Sequence, residues 1–129
     1  MSRSEAEKPR EPAVRTLAMP ADTNPSGDIF GGWIMAQMDI AGGIVAGQRA
    51  QGRVATVAVN AMEFHQPVFV GDLASCYADV TRVGRSSITV RVETIVRRRH
   101  TGESVKVTEG TFVYVALDAD GKPRPVPAE

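Results

Sequence analysis

The sequence has few of the residues that disulfides, metal sites and nucleophilic triads require. It holds one cysteine, Cys76, and two histidines in 129 residues. A single cysteine excludes an intrachain disulfide. Neither His65 nor His100 has a Ser, Cys or acidic partner at a recognisable spacing, so we predict no catalytic triad, no metal site and no redox cofactor.

The chain also lacks a charge excess and an apolar leader. Fifteen Lys and Arg residues balance fifteen Asp and Glu residues, so no overall field attracts nucleic acid or an anionic membrane surface. The first residues, MSRSEAEKPREP, carry charge and proline where a secretory signal has its hydrophobic segment. Together with the lone thiol, this pattern predicts a cytoplasmic protein.

Polar side chains are scarce between Ile29 and Gly47, where nineteen residues include five glycines and a single charge, Asp39. That length approaches what spans a bilayer. A carboxylate near the middle of a span costs about 2.5–3.5 kcal/mol on insertion scales, and glycines add little hydrophobic transfer energy. We therefore predict no membrane insertion, but a helix without a polar face that is enclosed by protein.

What the sequence does contain is a series of alternating, β-branched segments after Gly52. They predict an α+β fold in which one strand and one long helix precede four antiparallel strands that curl around the helix. The predicted strands are 13–19, 54–60, 71–80, 87–97 and 105–117, with an irregularity at Glu109-Gly110. The domain is expected to span residues 12–118, between a flexible tail, 1–11, and a proline-rich tail, 119–129.

The carboxylate of Asp39 is the first candidate catalytic group. A helical Asp usually faces solvent, but the neighbours Met38, Ile40 and Ala41 offer no polar stripe for it to join. A carboxylate held in apolar surroundings is a candidate for chemistry. We therefore predict that Asp39 is functional.

The second candidate is the loop Asn24-Pro25-Ser26-Gly27-Asp28 that leads into Gly31-Gly32. In its simplest interpretation the loop caps the helix through the side chains of Asn24, Ser26 or Asp28. A helix that starts with two glycines also presents bare N–H donors at the positive end of its dipole, which suits a developing oxyanion. The Asn24 amide would then orient a water molecule or a carbonyl group.

The spacing of these two candidates has a geometric consequence. Asp39 lies seven residues beyond Gly32, which is about 10 Å along a helix at ~1.5 Å per residue. That distance is too long for both to act on one carbonyl group. If both serve one reaction they come from different chains, so the pattern predicts a dimer with sites at the subunit interface.

Three stretches give the chain a resemblance to a known family: MPADTNPSGDIFGGWIMAQMD, FHQPVFVGD and FVYVALDADGKPRPVP. From Leu17 to Pro127 the chain resembles the short bacterial acyl-CoA thioester hydrolases of the hotdog-fold superfamily. The resemblance implies a sheet wrapped around a central helix, homodimers with joined sheets and commonly trimers of those dimers. It also implies that Asp39 is catalytic and that Asn24 is its loop asparagine. Phe30 replaces the histidine that many relatives carry before Gly31-Gly32, which puts any histidine role there in doubt.

The resemblance also implies where coenzyme A lies, because the turn Gly84-Arg85-Ser86-Ser87 matches the family's loop for the pantetheine and nucleotide arm. Without it, the turn is an ordinary hairpin. Arg97, Arg98 and Arg99 have guanidinium groups that suit phosphates, although three arginines beside a turn are more often a solvated edge. Methionines 35, 38 and 62 are expected to line an acyl tunnel between subunits.

The expected reaction is hydrolysis of an acyl-CoA thioester to a free acid and coenzyme A. Asp39 would act as general base on water, or would attack the thioester and form a mixed anhydride. Three other functions stay open. They are a module that binds acyl-CoA without cleaving it, a dehydratase, which usually needs a histidine on the central helix, and a purely structural role, which the Asp39 carboxylate argues against.

Overall fold

The computed structural model describes residues 10–129, so the expected tail 1–11 lies almost wholly outside the described residues. One helix, α1, and five strands form the domain, with a single 3₁₀ turn at Pro20–Asp22. The elements are β1 (Val14–Leu17), α1 (Gly31–Ala50), β2 (Val54–Phe64), β3 (Leu73–Val83), β4 (Ser87–Arg97) and β5 (Ser104–Ala116). The predicted order of one strand, one helix and four strands is confirmed.

All five strands pair antiparallel in one sheet with the order β1-β3-β4-β5-β2. The strand β4 lies in the middle, and its buried residues Ile88, Val90 and Val92 alternate with more exposed ones. This alternation predicts a strand with one covered face, and the predicted bounds 87–97 are those observed. The helix α1 packs on the covered face, where Met38, Ala41 and Ala46 are fully buried.

The helix is only half enclosed in the protomer, so the prediction of a helix enclosed by protein does not hold for one chain alone. Ala36, Ile40, Ile44 and Gln48 recur every four residues and are all exposed. Ile40 is 52% and Ile44 is 41% exposed. One sheet can cover one side of a helix, and within the protomer nothing covers the other side. Between residues 10 and 129, no helix has the length and apolar character that crossing a bilayer requires.

The strand β2 forms one edge of the sheet and is irregular. Its pairing with β5 shifts between Thr56 and Ala58 and again between Asn60 and Glu63, where Ala61 has a positive φ of 50°. The irregularity predicted at Glu109-Gly110 is therefore near the right place, but the extra residues belong to β2. Gly110 leaves room for them, because a Cβ there would lie 2.9 Å from the terminal methyl of Met62.

Within β5 itself, the shift lies at Val107, two residues before the predicted position, since Thr94 pairs with Thr108 and Ile95 with Lys106. Val107 and Thr108 are consecutive and both buried, as expected at a bulge.

The proline-rich segment 119–129 packs against the end of α1 and does not extend the sheet. Arg124 donates from Nη2 to the carbonyl oxygen of Ala50 at 2.8 Å and from Nε to that of Leu117 at 3.0 Å. The backbone N–H of Val126 donates to the carbonyl of Arg85 at 2.8 Å. A cation thus satisfies a free carbonyl at the negative end of the helix dipole.

Candidate active site

The carboxylate of Asp39 is held by two hydroxyl groups from neighbouring strands. Thr56 of β2 donates from Oγ1 to Asp39 Oδ1 at 2.7 Å, and the Tyr114 hydroxyl of β5 lies 3.0 Å from the same oxygen. Thr56 and Tyr114 are direct cross-strand neighbours, which is why they meet at one oxygen. Among the described residues, no hydrogen bond or ion pair occupies the second oxygen, Oδ2.

Asp39 itself is half-buried, and Thr56 is exposed in the protomer. The site therefore opens on the uncovered face of α1 and is not enclosed by this chain. The expectation that Asp39 is fully buried is corrected to a carboxylate at the boundary between the core and that face. Its inner oxygen is anchored, and its outer oxygen is left for a ligand.

The Tyr114 hydroxyl is the most buried polar group at the site, since Tyr114 is 1% exposed. Burial raises the pKa of Tyr114 well above its usual value, and the hydrogen bond to Asp39 raises it further. The phenol therefore keeps its proton and acts as a donor. The hydroxyl also lies 3.0 Å from the backbone carbonyl oxygen of Asp39.

The loop before the helix is an Asx turn built on Asn24. The side-chain oxygen of Asn24 accepts hydrogen bonds from the backbone N–H groups of Ser26, at 2.9 Å, and Asp28, at 3.1 Å. Because these bonds use the oxygen, the side-chain NH₂ of Asn24 is the group left to bind a ligand. The geometry suits donation to a carbonyl oxygen better than acceptance from a water molecule.

The helix starts without a side-chain cap, so the capping interpretation of the loop is wrong. The N-cap is Phe30, and its side chain makes no cap hydrogen bond. Gly31 and Gly32 are exposed, and their N–H groups have no backbone acceptor within residues 10–129. A Cβ at Gly32 would meet nothing within 4 Å, whereas one at Gly31 would lie 3.4 Å from the Phe64 ring. Both N–H donors lie at the positive end of the helix dipole, and the space beside Gly32 is open.

The residues expected to bind coenzyme A do not come together in the protomer. The turn Gly84–Ser87 lies at the start of β4, where the N–H of Gly84 donates to the carbonyl of Ser87 at 2.8 Å. Arg97, Arg98 and Arg99 lie at its other end, ~33 Å away at roughly 3.3 Å per residue. One protomer cannot bring both groups to the same nucleotide.

Arg98 serves the fold instead of a phosphate. Its Nη1 donates to the buried carboxylate of Asp72 at 2.6 Å and to the carbonyl oxygen of Pro67 at 3.0 Å, and its guanidinium stacks 4.9 Å from the Phe69 ring centroid. Arg97 and Arg99 stay exposed. The strand β4 ends at Arg97, and Arg98, just beyond it, is held by Asp72 while its two neighbours are exposed. The prediction that all three arginines bind phosphate is therefore wrong for Arg98.

The three methionines differ in their positions. Met38 is fully buried in the core between α1 and the sheet, while Met62 packs over Gly110 and Met35 is half-buried. A fully buried side chain cannot line an open tunnel in this conformation, so that expectation is corrected for Met38.

Among the described residues, neither His65 nor His100 forms a hydrogen bond or ion pair with Asp39. His65 Nε2 lies 3.7 Å from Glu63 Oε2 and 4.0 Å from Glu109 Oε1, and in the described part of the chain these three residues form a group that could hold a metal ion. Glu109 is already paired with Arg91 and Lys106, so a cation would compete with two positive charges. His100 lines a cavity of about 500 Å³ with Phe69 and Arg99.

Sequence patterns alone missed Thr56 and Tyr114. A signal for Tyr114 exists, because it follows Phe112 at the two-residue spacing of an inward strand face, where a buried hydroxyl needs a partner. Thr56 carries no such signal. Its role depends on the β2–β5 register, which two bulges shift.

Comparison with known proteins gives a consistent result. Residues 26–103 match the model of the Thioesterase superfamily. The acyl-CoA thioester hydrolase YciA of Salmonella typhimurium is 52% identical over 92% of both chains. A hexameric thioesterase from Yersinia pestis is similar with a TM-score of 0.88 and 53% identity, covering 93% of this chain and 98% of that one. A hexameric hotdog-fold thioesterase of Campylobacter jejuni has a TM-score of 0.87 and 43% identity, covering 91% and 90%.

Proposed function

Because the chain belongs to the thioesterase superfamily, we propose that it hydrolyses acyl-CoA thioesters to a free carboxylic acid and coenzyme A. The observation that carries the proposal is the Asp39 carboxylate, which is anchored at Oδ1 by Thr56 and Tyr114 and open at Oδ2. A carboxylate in this state can take a proton from water or attack a carbonyl carbon. Relatives that share half of the sequence are named acyl-CoA thioester hydrolases.

Asp39 acts at the thioester carbonyl carbon in one of two ways. As a general base, Oδ2 accepts a proton from water while the water oxygen bonds to that carbon. As a nucleophile, Oδ2 bonds to the carbon itself, and water then cleaves the mixed anhydride. In both cases the C–S bond breaks, the acyl group leaves as the acid, and the coenzyme A thiolate takes up a proton. Water is the only co-substrate.

The negative charge that develops on the thioester oxygen is bound by the helix start. The N–H groups of Gly31 and Gly32 and the side-chain NH₂ of Asn24 are the proposed donors. Within residues 10–129 none of these three donors has a hydrogen-bond acceptor. At Asn24 the two hydrogen bonds of the loop use the side-chain oxygen and leave the NH₂ group free to donate. Loss of one such donor typically raises the barrier by about 2.7–4 kcal/mol.

The proposed site needs two chains. Two apolar surfaces lie side by side and uncovered: the face of α1 with Ile40 and Ile44, and the edge strand β2 with Val57 and Val59, of which Val57 is 58% exposed. A second copy that pairs along β2 covers both and removes an open sheet edge. This homodimer sets Asp39 of one protomer against Gly31, Gly32 and Asn24 of the other. The hexamers of the Yersinia pestis and Campylobacter jejuni relatives support a trimer of such dimers.

For the nucleotide end of coenzyme A, we keep the turn Gly84–Ser87 as the proposed contact. Arg85 is exposed, and a surface cavity of about 160 Å³ lies between Arg85, Ser86 and Arg124. The Arg85 guanidinium at its rim suits a phosphate, whereas that of Arg124 already donates to backbone carbonyl oxygens. Arg97 and Arg99 reach the same coenzyme A only if another protomer supplies them.

We propose a cytoplasmic location on the evidence of the single cysteine. Cys76 is buried and unpaired, and burial raises the pKa of its thiol, so it is protected from oxidation. A chain without disulfides fits a reducing compartment.

A thiol-release assay over acyl-CoAs of increasing chain length tests the function. We expect turnover by the wild type and a decrease in kcat of roughly 10²–10⁴-fold in Asp39→Asn, as for the loss of a general base. Asp120→Asn is the matched control, because Asp120 lies in an exposed turn and makes no contact with the site. An undiminished rate in Asp39→Asn would remove Asp39 from the mechanism.

The same assay separates the alternative function. A module that only binds acyl-CoA would bind it stoichiometrically and release no thiol. A dehydratase would consume a 3-hydroxyacyl-CoA without thiol release, and the helix α1 carries no histidine for that reaction.

A further inference from the structure

We infer that the Tyr114 hydroxyl is a positioning group for the Asp39 carboxylate, and that Gly42 is the residue that gives it access. The inference rests on the proposed function for its kinetic consequence. Its geometric basis is the 3.0 Å contact between the hydroxyl and Asp39 Oδ1. Tyr114 does not need to contact the substrate to act in this way.

The Tyr114 hydroxyl has one proton and two possible acceptors on Asp39. Its oxygen lies 3.0 Å from both the backbone carbonyl oxygen and the carboxylate Oδ1 of Asp39. In an α-helix the carbonyl of residue 39 already accepts the N–H of Gly43, one turn later. A charged carboxylate is also the stronger acceptor. The carboxylate therefore gains most from this proton.

Two donors set the direction in which the Asp39 carboxylate points. Thr56 and Tyr114 both approach Oδ1, from adjacent strands. Two donors on one oxygen fix the rotation of the carboxylate group, so Oδ2 is left facing the open side. Thr56 is exposed on an edge strand, whereas Tyr114 is clamped in the core and stacks near Phe112, with ring centroids 6.4 Å apart. Tyr114 is the rigid member of the pair.

Gly42 leaves the space that the Tyr114 hydroxyl occupies beside the helix. A Cβ at this position would lie 2.3 Å from the Tyr114 hydroxyl oxygen and 3.0 Å from the ring carbon that carries it. A glycine inside a helix costs stability relative to alanine, by roughly 1 kcal/mol. Here the absence of a side chain lets the phenol reach the helix backbone beside Asp39. The adjacent Gly43 has no such effect, because a Cβ there would lie 3.8 Å from the ring.

The Asp39 carboxylate has no charged partner within residues 10–129. Tyr114 from β5 and Thr56 from β2 are the groups that face it, and no Lys, Arg or His in that range forms an ion pair with it. Removal of the tyrosine donor therefore leaves Thr56, among the described residues, as the one hydrogen-bond donor that holds Oδ1 in place.

Three variants test the inference in the full-length protein. We expect Tyr114→Phe, which removes one oxygen atom, to lower kcat roughly 10- to 100-fold through misplacement of the carboxylate, with KM changed less than about 2-fold. Gly42→Ala should reproduce this split between kcat and KM by displacing the phenol. Gly43→Ala is the matched control and should keep the wild-type kcat and KM.

A double-mutant cycle distinguishes positioning from a structural role. If the hydroxyl acts through the carboxylate, Tyr114→Phe should change kcat little in an Asp39→Asn background. A structural role would give additive losses in kcat, which would overturn the inference. Should Gly42→Ala fail to fold, Tyr114→Phe alone decides.

The cycle is also measured by thermal unfolding, which does not depend on activity. Coupling of the hydroxyl to the carboxylate should make the two Tm changes non-additive by a few degrees. If the wild type releases no thiol, the proposed function fails, and this non-additivity still tests the contact. If Asp39→Asn is inactive while Tyr114→Phe is unchanged and the Tm changes add, the function stands and the inference fails.

Discussion

At the residue scale, Thr56 is the second anchor of the Asp39 carboxylate and gives a separate prediction. Thr56→Val keeps the β-branched shape but removes the donor at 2.7 Å from Oδ1, so we expect kcat to fall roughly 10-fold, as for one hydrogen bond to a charged group. Thr56→Ser keeps the hydroxyl and should retain most of the activity. Because Thr56→Ser keeps the donor, its unfolding free energy should stay within about 0.5 kcal/mol of the wild-type value. Equal kcat in the two variants would contradict the prediction.

The site residues differ in how far a sequence can reveal them. Asp39 and Asn24 stand out locally, one as a lone charge in an apolar run and the other as a loop residue before two glycines. Tyr114 lies 75 residues from Asp39, and its role depends on strand order and on the space above Gly42. Such information is absent from any short stretch of sequence. The assignment of Arg98 failed for the same reason, because its partner Asp72 lies 26 residues away.

At the element scale, the C-terminal end of α1 contains a conformation that glycine would favour. The C-cap residue Gln51 is left-handed, with φ 53° and ψ 42°, and its N–H bonds back to the carbonyls of Gly47 and Gln48. A residue with a side chain pays about 1–2 kcal/mol to adopt this conformation. Glycine avoids that cost but loses more chain entropy on folding, so the net gain is smaller. Gln51→Gly should raise the unfolding free energy by about 0.5–1 kcal/mol.

Chemical denaturation with kcat measured in parallel checks this prediction. Gln51→Ala is the control, because it removes the exposed side chain without relieving the backbone and should not stabilise the protein. If alanine stabilises as much as glycine, the side chain and not the φ angle is responsible. Activity should not change in either variant, since Gln51 lies twelve residues beyond Asp39 at the far end of the helix.

The bounds of a strand could be predicted where buried and exposed residues alternate strongly, and were predicted less well where they do not. The bounds of β4 follow from its position between two strands, where each alternate residue is buried. The strand β2 continues four residues beyond the predicted end, to Phe64, because bulges and an open edge break the alternation there. The exposed stripe on α1 had only one polar member, Gln48, to reveal it, since Ala36, Ile40 and Ile44 are as apolar as the buried residues.

At the scale of the whole molecule, the uncovered stripe on α1 and the open edge of β2 have a single explanation in the proposed homodimer. The stripe is as apolar as a core surface, but it would become buried only when a second copy packs on it. The helix spacing of seven residues between Gly32 and Asp39 leads to the same arrangement. The protomer fold is therefore half of the unit that we expect to be active.

A shared site can be tested by mixing two inactive variants. Asp39→Asn and Asn24→Ala should each be nearly inactive as homodimers. In a mixed dimer the first chain supplies an intact Asn24 and the second an intact Asp39, so one of the two interface sites is wild type. Statistical mixing after co-refolding should restore about a quarter of the wild-type sites in a symmetric dimer. A site built within one chain would always contain one lesion, and the mixture would stay as inactive as its components. Recovery should also require subunit exchange, so mixing without refolding provides the control, and the restored kcat per intact site should match that of the wild type.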